Sequence, residues 1–252
     1  MKTNDFEAYL NALMKPEAIK DYCPNGLQIQ GSDNVAKVVT GVTASQALID
    51  AAIEQNADAI VVHHGYFWKS ESYVIRGMKY NRIKALMDND INLFAYHLPL
   101  DVHSDLGNNA QLGKHLGFEN IRPLEEGYEQ CLILRGELSK PMSGAELKRH
   151  ISESLDRECL HIDIDNNKLI STIAWCTGGA QGYIDQVAEH QIDAFISGEI
   201  SEQTTHSAKE QGVHYFAAGH HATEVFGVKA LAEYLAQHTS LDVQFIDIDN
   251  PA

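Results

Sequence analysis

Apolar residues first recur at helical spacing. Phe6, Leu10, Leu13 and Met14 share one face of a helix predicted over residues 4–20, which Pro16 ends or splits. Asp21-Tyr-Cys-Pro-Asn-Gly-Leu-Gln28 then reads as turn chemistry. Val35 to Val42 is rich in β-branched residues and predicts a strand. Ser45 to Gln55 has helical spacing, and Ala59-Ile-Val-Val62 is a short apolar run of the kind that forms a buried strand. Strands alternating with helices predict parallel βαβ units.

The pattern returns in the second half. Ile173-Ala-Trp-Cys-Thr-Gly-Gly179 predicts a strand running into a glycine turn, Tyr183 to His190 a helix, and Asp193-Ala-Phe-Ile196 a strand. Sliding the chain by 135 positions sets Asp50 on Asp185, Asp58 on Asp193 and Ala59 on Ala194. This predicts two related α/β halves rather than one doubly wound sheet. Between them, Cys131-Leu-Ile-Leu134 and Leu160 to Ile164 predict strands. Ser143 with Glu146 forms a capping box that opens a helix over 145–155. No Pro-, Gly- or Ser-rich linker marks a border, and the boundary is placed near 125, giving lobes 1–125 and 126–252.

Composition narrows the class. The 252 residues are 44% hydrophobic and 21% charged, as in a folded domain rather than a disordered chain. No apolar run approaches the roughly 18 residues of a membrane span. The start, Met1-Lys-Thr-Asn-Asp-Phe-Glu7, carries no apolar signal-peptide core, so a cytoplasmic location without membrane attachment is expected. Nineteen basic against 35 acidic residues leave a net charge of −16, which disfavours nucleic acid as a partner. The four cysteines form no CxxC pair and are expected as reduced thiols.

Histidine is the unusual residue, with thirteen. His63-His64 directly follows the run Ala59–Val62. Leu93-Phe-Ala-Tyr96 predicts a strand leading to His97-Leu-Pro-Leu-Asp101. Tyr215-Phe-Ala-Ala218 predicts another, leading to Gly219-His220-His221-Ala-Thr-Glu224. Ligands collect at the carboxyl ends of strands in α/β sheets, and three strand ends here deliver histidine. His97 with Asp101, and His220 with Glu224, are four residues apart, a spacing that shares a helix face. Pro99 argues for a curled loop rather than a full helical turn at the first pair. One strand-end histidine is more often a hydrogen-bonded loop residue than a ligand; three clusters with two paired acids point to metal. Imidazole and carboxylate suit Zn, Mn, Fe, Co or Ni. Five or six such groups exceed one tetrahedral zinc and suit two ions roughly 3.5–4 Å apart, with Glu224 as the bridging candidate. His103, His115, His150, His161, His190 and His238 lack this context and are expected at the surface.

Competing motifs are absent: no HExxH, HxxEH, GxSxG or GK[ST] sequence occurs. Gly178-Gly-Ala-Gln-Gly182 fits a tight strand-to-helix turn better than a phosphate cradle. Gly65-Tyr-Phe-Trp-Lys69 places three aromatics and a cation beside the histidine pair, suited either to stacking a nucleobase or to packing a loop. Glu199, at the end of the strand matching the one before His63, is a candidate acid–base or orienting group, or a cap for the next helix.

At these residues the sequence resembles the Nif-three-like dinuclear-metal proteins, also known as GTP cyclohydrolase I type 2 homologues, in their bacterial YbgI branch. The likeness covers the whole chain. It is carried by Asn25-Gly-Leu-Gln28, Val61-Val-His-His-Gly-Tyr-Phe67, His97-Leu-Pro-Leu-Asp101, Trp175-Cys-Thr-Gly-Gly179, Ser197-Gly-Glu-Ile-Ser-Glu202 and Gly219-His-His-Ala-Thr-Glu224. The resemblance implies an α/β fold of two related lobes with mixed or parallel sheets and a dinuclear metal site in the cleft between them. It implies His63, His64, Asp101, His220 and Glu224 as metal ligands for two divalent ions per chain. It also implies a toroidal homohexamer, a trimer of dimers, and no inserted middle domain at this length. Many members have His-His-Pro where this chain has Gly65. The expected function is a dinuclear metal-dependent hydrolase acting on a small molecule, with a type 2 GTP cyclohydrolase-like reaction on a nucleotide as the candidate. His97 and Glu199 are the candidate catalytic residues that move protons. The alternative is a non-enzymatic metal-binding hexameric scaffold or interaction protein.

Overall fold

Short β-branched runs separated by helical segments condense into two sheets with parallel cores, one in each of two compact units. The computed structural model describes residues 1–125, 127, 131–164 and 168–252.

The first unit comprises Met1–Gly107 and Gly227–Asp249. It contains α1 (Thr3–Met14), β1 (Gly26–Ile29), β2 (Lys37–Thr43), α2 (Gln46–Glu54), β3 (Ala59–His64), α3 (Gly77–Asp88), β4 (Asn92–Ala95) and α4 (Leu98–Val102). The second unit comprises Asn108–Phe226 and Asn250–Ala252. It contains α5 (Asn108–His115), β5 (Glu119–Pro123), β6 (Leu134–Met142), α6 (Gly144–Ser154), β7 (Leu160–Ile162), β8 (Ile170–Cys176), α7 (Ile184–Glu189), β9 (Ala194–Ser197), α8 (Glu202–Gln211) and β10 (His214–Ala217). Helix α9 (His220–His238) begins in the second unit, and from Gly227 on it belongs to the first, as does β11 (Asp242–Phe245). The expected boundary at 125 thus falls inside the second unit, and residue 126 lies outside the described residues. The chain divides instead near 107 and returns at 227.

The first sheet runs β1-β4-β3-β2-β11, parallel except for β1 against β4. The second runs β5-β6-β8-β9-β10-β7. Strands β8, β9 and β10 are parallel, and antiparallel strands flank them on both sides. Side chains on these strands alternate between two faces as the pleat requires. In the second unit Ile173, Trp175, Ala194, Ile196 and Phe216 pack on one face. Ala174, Cys176, Phe195 and Tyr215 pack on the other. In the first unit Val39, Ile60, Val62 and Leu93 pack against Leu48, Ile49 and Ala52 of α2. Phe6 meets Phe94 edge-on at 5.2 Å behind the sheet.

Local capping fixes several ends. The Ser45 side chain accepts from the Leu48 amide at the start of α2, and Ser143 and Glu146 form the expected capping box on α6. The 135-residue correspondence is structural. Asp58, just before β3, accepts the Ala36 and Lys37 amides through Oδ2 at 2.8 Å each. Asp193, just before β9, accepts the Ser171 and Thr172 amides through Oδ2 at 3.0 Å each. Each aspartate ties the start of its own strand to the start of the neighbouring parallel one.

Candidate metal centre

In the first unit β3 extends two residues past the apolar run, so His63 and His64 lie on the strand end, their ring centroids 4.4 Å apart. His63 is fully buried. Its Nδ1 donates to the Tyr96 carbonyl at 3.1 Å, which leaves Nε2 with a lone pair aimed toward Asp101, whose Oδ1 is 3.5 Å away. A histidine whose second nitrogen is held by a carbonyl is the usual arrangement of a metal ligand. His64 Nδ1 meets Thr43 Oγ1, its cross-strand neighbour, at 3.1 Å. Asp101 is buried on α4. Pro99 sits in the first turn there, where its missing N–H costs nothing, so a short helix forms in place of the expected curled loop. The Asp101 amide bonds the His97 carbonyl at 3.2 Å. His63, His64 and His97 each offer a ring nitrogen within 4.8 Å of the others.

The turn before β1 does more than reverse the chain. Asp21 accepts from His97 Nδ1 at 2.8 Å, the Leu98 amide at 2.9 Å and Asn25 Nδ2 at 2.9 Å. Asn25 Oδ1 in turn accepts the His97 amide at 2.7 Å. These two residues fix His97, a function that the turn composition did not reveal. Burial raises the Asp21 pKa, but the hydrogen bonds from His97 and Asn25 outweigh it and bring the carboxyl down to about 2. Burial and the Asp21 charge push the Cys23 thiol up to about 12. A depressed carboxyl stabilises the fold above its ordinary pKa of 3.8, and that stability is lost as pH falls toward 2. Urea titrations between about pH 5 and pH 2 should show the natural protein losing about 2 kcal/mol that Asp21→Asn does not lose. Equal acid sensitivity of both proteins would remove Asp21 from this role.

In the second unit β10 leads through Gly219 into α9, whose first residue is His220 and whose first turn ends at Glu224. His220 Nε2 is 3.4 Å from Glu224 Oε2, the i,i+4 geometry expected from the spacing. His220 Nδ1 donates to Glu199 Oε1 at 2.7 Å. Glu199 therefore orients His220, as a carboxylate orients a zinc-binding histidine. It does not cap α8, because Ser201 accepts the Thr204 amide there. Glu224 is buried. Gly178, at φ +65°, lies against the pair: a Cβ there would stand 2.2 Å from Glu224 Oε1. The Gly178 amide is spent on Thr223 Oγ1 at 3.0 Å, so at that position the glycine segment is a tight turn rather than a phosphate cradle. The donor set in each unit, imidazole with a buried carboxylate and an oriented ring, fits a divalent transition-metal ion.

The family model for DUF34/NIF3 (NGG1p interacting factor 3) matches residues 1–251. The chain belongs to the DUF34/NIF3 family. Among curated relatives, "GTP cyclohydrolase 1 type 2 homolog" of Vibrio cholerae is 57% identical over the full length of both chains. The solved structure of protein ybgI is 54% identical over all of both chains with a TM-score of 0.95. Reduced HcgD from Methanocaldococcus jannaschii is 25% identical over 98% of both chains with a TM-score of 0.85. The mixed α/β fold with two sheets is that of these NIF3 neighbours.

The remaining histidines of this DUF34/NIF3 chain sort by their contacts. His115 and His150 bond the Ser154 and Leu116 carbonyls through Nε2, and His206 is exposed. His161 departs from its expected surface setting. It is half-buried, lies flat on Phe216 at 4.4 Å, and brings Nε2 to 3.1 Å from Nδ1 of buried His214. With Asp163 they form another group of ligand atoms within 4.8 Å. Gly65 has a local reason in place of proline: the Gln28 carboxamide fills the space a Cβ would need and accepts the Tyr66 amide at 2.7 Å. Among the described residues no helix is long and apolar enough to cross a membrane.

Proposed function

We propose that this DUF34/NIF3 chain is a metal-dependent hydrolase of a small molecule, using two divalent ions held by His63, His64, Asp101, His220 and Glu224. The candidate reaction is a type 2 GTP cyclohydrolase-like ring opening of a nucleotide. The supporting observation is that a ligand histidine in each unit is turned by a second partner, His63 by the Tyr96 carbonyl and His220 by Glu199, so that Nε2 meets a buried carboxylate. Ions bound there would supply Lewis acidity and make water nucleophilic near neutral pH. His97, with Nδ1 on Asp21, keeps Nε2 for proton transfer to a leaving group. Glu199 is the second proton carrier: its Oε2 is shared with Gln181 Nε2 at 3.2 Å, while Oε1 holds His220. The net charge of −16 concentrates cations and disfavours polyanionic nucleic acid as a partner. The absence of a disulfide among the four cysteines fits a reducing cytoplasm. The exposed apolar run Tyr73, Val74 and Ile75, with Met78 and Tyr80, supports association with further copies of the chain, as the homohexamer of the proposed assembly requires.

The test is metal content and turnover on one sample. After chelation and restoration with Mn, Zn, Fe or Co, two ions per chain and ring opening of GTP or hydrolysis of another nucleotide or phosphoester are expected. Glu224→Gln should lower occupancy and turnover together. Two tightly held ions with no turnover on any of these compounds would favour the metal-binding scaffold instead.

A further inference from the structure

The segment after the histidine pair is built differently from a simple aromatic patch. Tyr66 is buried, and its hydroxyl donates to the Ala44 carbonyl at 2.7 Å, so it serves the core. Phe67 carries the Lys79 ammonium over its ring at 4.6 Å. Its φ of +64° is a conformation that bulky residues avoid. Glu71 holds it there by accepting the Phe67 and Trp68 amides at 2.8 and 3.2 Å, and Lys79 pairs with Glu71 at 3.0 Å. Such strain, fixed from outside, is typical of ligand clamps. The same carboxylate thereby fixes the backbone of Trp68.

Trp68 stands edge-on to His97, ring centroids 4.8 Å apart, and 5.9 Å from His64. Its indole N–H is spent on the Gly65 carbonyl at 3.2 Å. The Lys69 amide bonds the Tyr22 carbonyl at 2.7 Å, which brings the turn holding Asp21 alongside. Tyr22, Trp68, Lys69 and Ser70 line a cavity of about 440 Å³. That volume lies within the roughly 300–1,000 Å³ of small-molecule pockets. Tyr22 is 58% exposed, and the Lys69 ammonium has no carboxylate partner among the described residues.

We propose that this cavity is the ring-binding subsite of the substrate: a planar heteroaromatic ring lies against Trp68 and Tyr22, and a phosphate attached to it meets Lys69. The inference rests on the reading that His97 belongs to the active site, since Trp68 would hold the ring beside it. Aromatic faces bind a nucleobase by stacking, and a lysine ammonium receives a phosphate as a point charge.

The experiment is equilibrium dialysis of the full chain, stripped of metal, with GMP, guanosine and ribose 5-phosphate. Saturable GMP binding is expected, with guanosine weaker and ribose 5-phosphate weakest. Trp68→Ala should weaken GMP by about tenfold or more, following the energy of base–aromatic stacking. Exposed Tyr22→Ala should act in the same direction and guards against a folding defect at Trp68. Lys69→Met should weaken GMP but leave guanosine unchanged. Absence of saturable binding at millimolar GMP overturns the proposal. So does unchanged affinity in both aromatic variants, or ribose 5-phosphate binding as tightly as GMP. The two readings fail separately: ring binding without turnover under any metal removes the hydrolase and keeps the subsite. Turnover with KM unchanged in Trp68→Ala removes the subsite and keeps the hydrolase.

Discussion

Gly178→Ala should disable metal binding by the second unit while leaving the fold largely in place. The new methyl would lie 2.2 Å from Glu224 Oε1 and 3.1 Å from His220 Nε2. The backbone cannot retreat. The Gly178 carbonyl accepts from the Gly198 amide at 2.8 Å, from Ser197 Oγ at 3.0 Å and from the Ala180 amide at 3.0 Å. Its amide is held by Thr223. The carboxylate, at the end of a side chain, therefore moves. A left-handed alanine costs about 1–2 kcal/mol, which predicts a melting temperature lower by a few degrees. The larger loss falls on metal affinity, at least ~10- to 100-fold, the range seen when a ligand's orientation is disturbed. Gly182→Ala is the control, because a Cβ there meets nothing within 4 Å. Calorimetric titration with Zn or Mn should separate the two variants. Equal affinities would mean that Glu224 is no ligand.

His63→Ala should strike the first unit harder. The ring is fully buried, so its removal leaves a cavity and deprives the Tyr96 carbonyl of a donor. Core truncation with a lost buried hydrogen bond costs about 3–5 kcal/mol. Metal adds to this. An ion that binds only the folded state stabilises it by mass action. Chelation should therefore lower the melting temperature of the natural protein and have little further effect on His63→Ala. A chelator shift of the same size in both proteins would show that the stabilising ion does not use His63.

Much of this architecture was legible because the chemistry sits where strands end. His63, His97 and His220 follow apolar runs whose β-branched and aromatic character gave the strands away. The pairing of His220 with Glu224 followed from helix geometry, whereas Asp101 lies 3.5 Å from His63. The aspartates at 58 and 193, the clearest trace of the repeat, hold equivalent strand starts. The elements that were not legible lack an apolar period. Helix α3 buries only Ile83 and Leu86, and α8 only Thr204 and Ala208. Strand β1 hides behind Pro24-Asn25-Gly26, which reads as a turn although Gly26 already opens the strand. Apolar Cys131-Leu-Ile drew the predicted strand upstream, whereas β6 begins at Leu134 and runs through mixed residues to Met142. The partition near 227 lies within one continuous helix, where no break in composition marks it. The hold of Asp21 and Asn25 on His97 joins segments far apart in sequence, and spacing carries no sign of it.

Strand β11 closes the edge of the first sheet by pairing in parallel with β2, Asp242 opposite Lys37. On the ribosome these partners are born at opposite ends of translation. Residues 37–43 emerge early, and their outer edge stays open until the chain has been elongated past residue 245. An open edge is a template for wrong pairing between nascent chains. Lys37, at the head of that strand, is the kind of charge that discourages such pairing. When Asp242 finally arrives, it settles 3.6 Å from that same lysine.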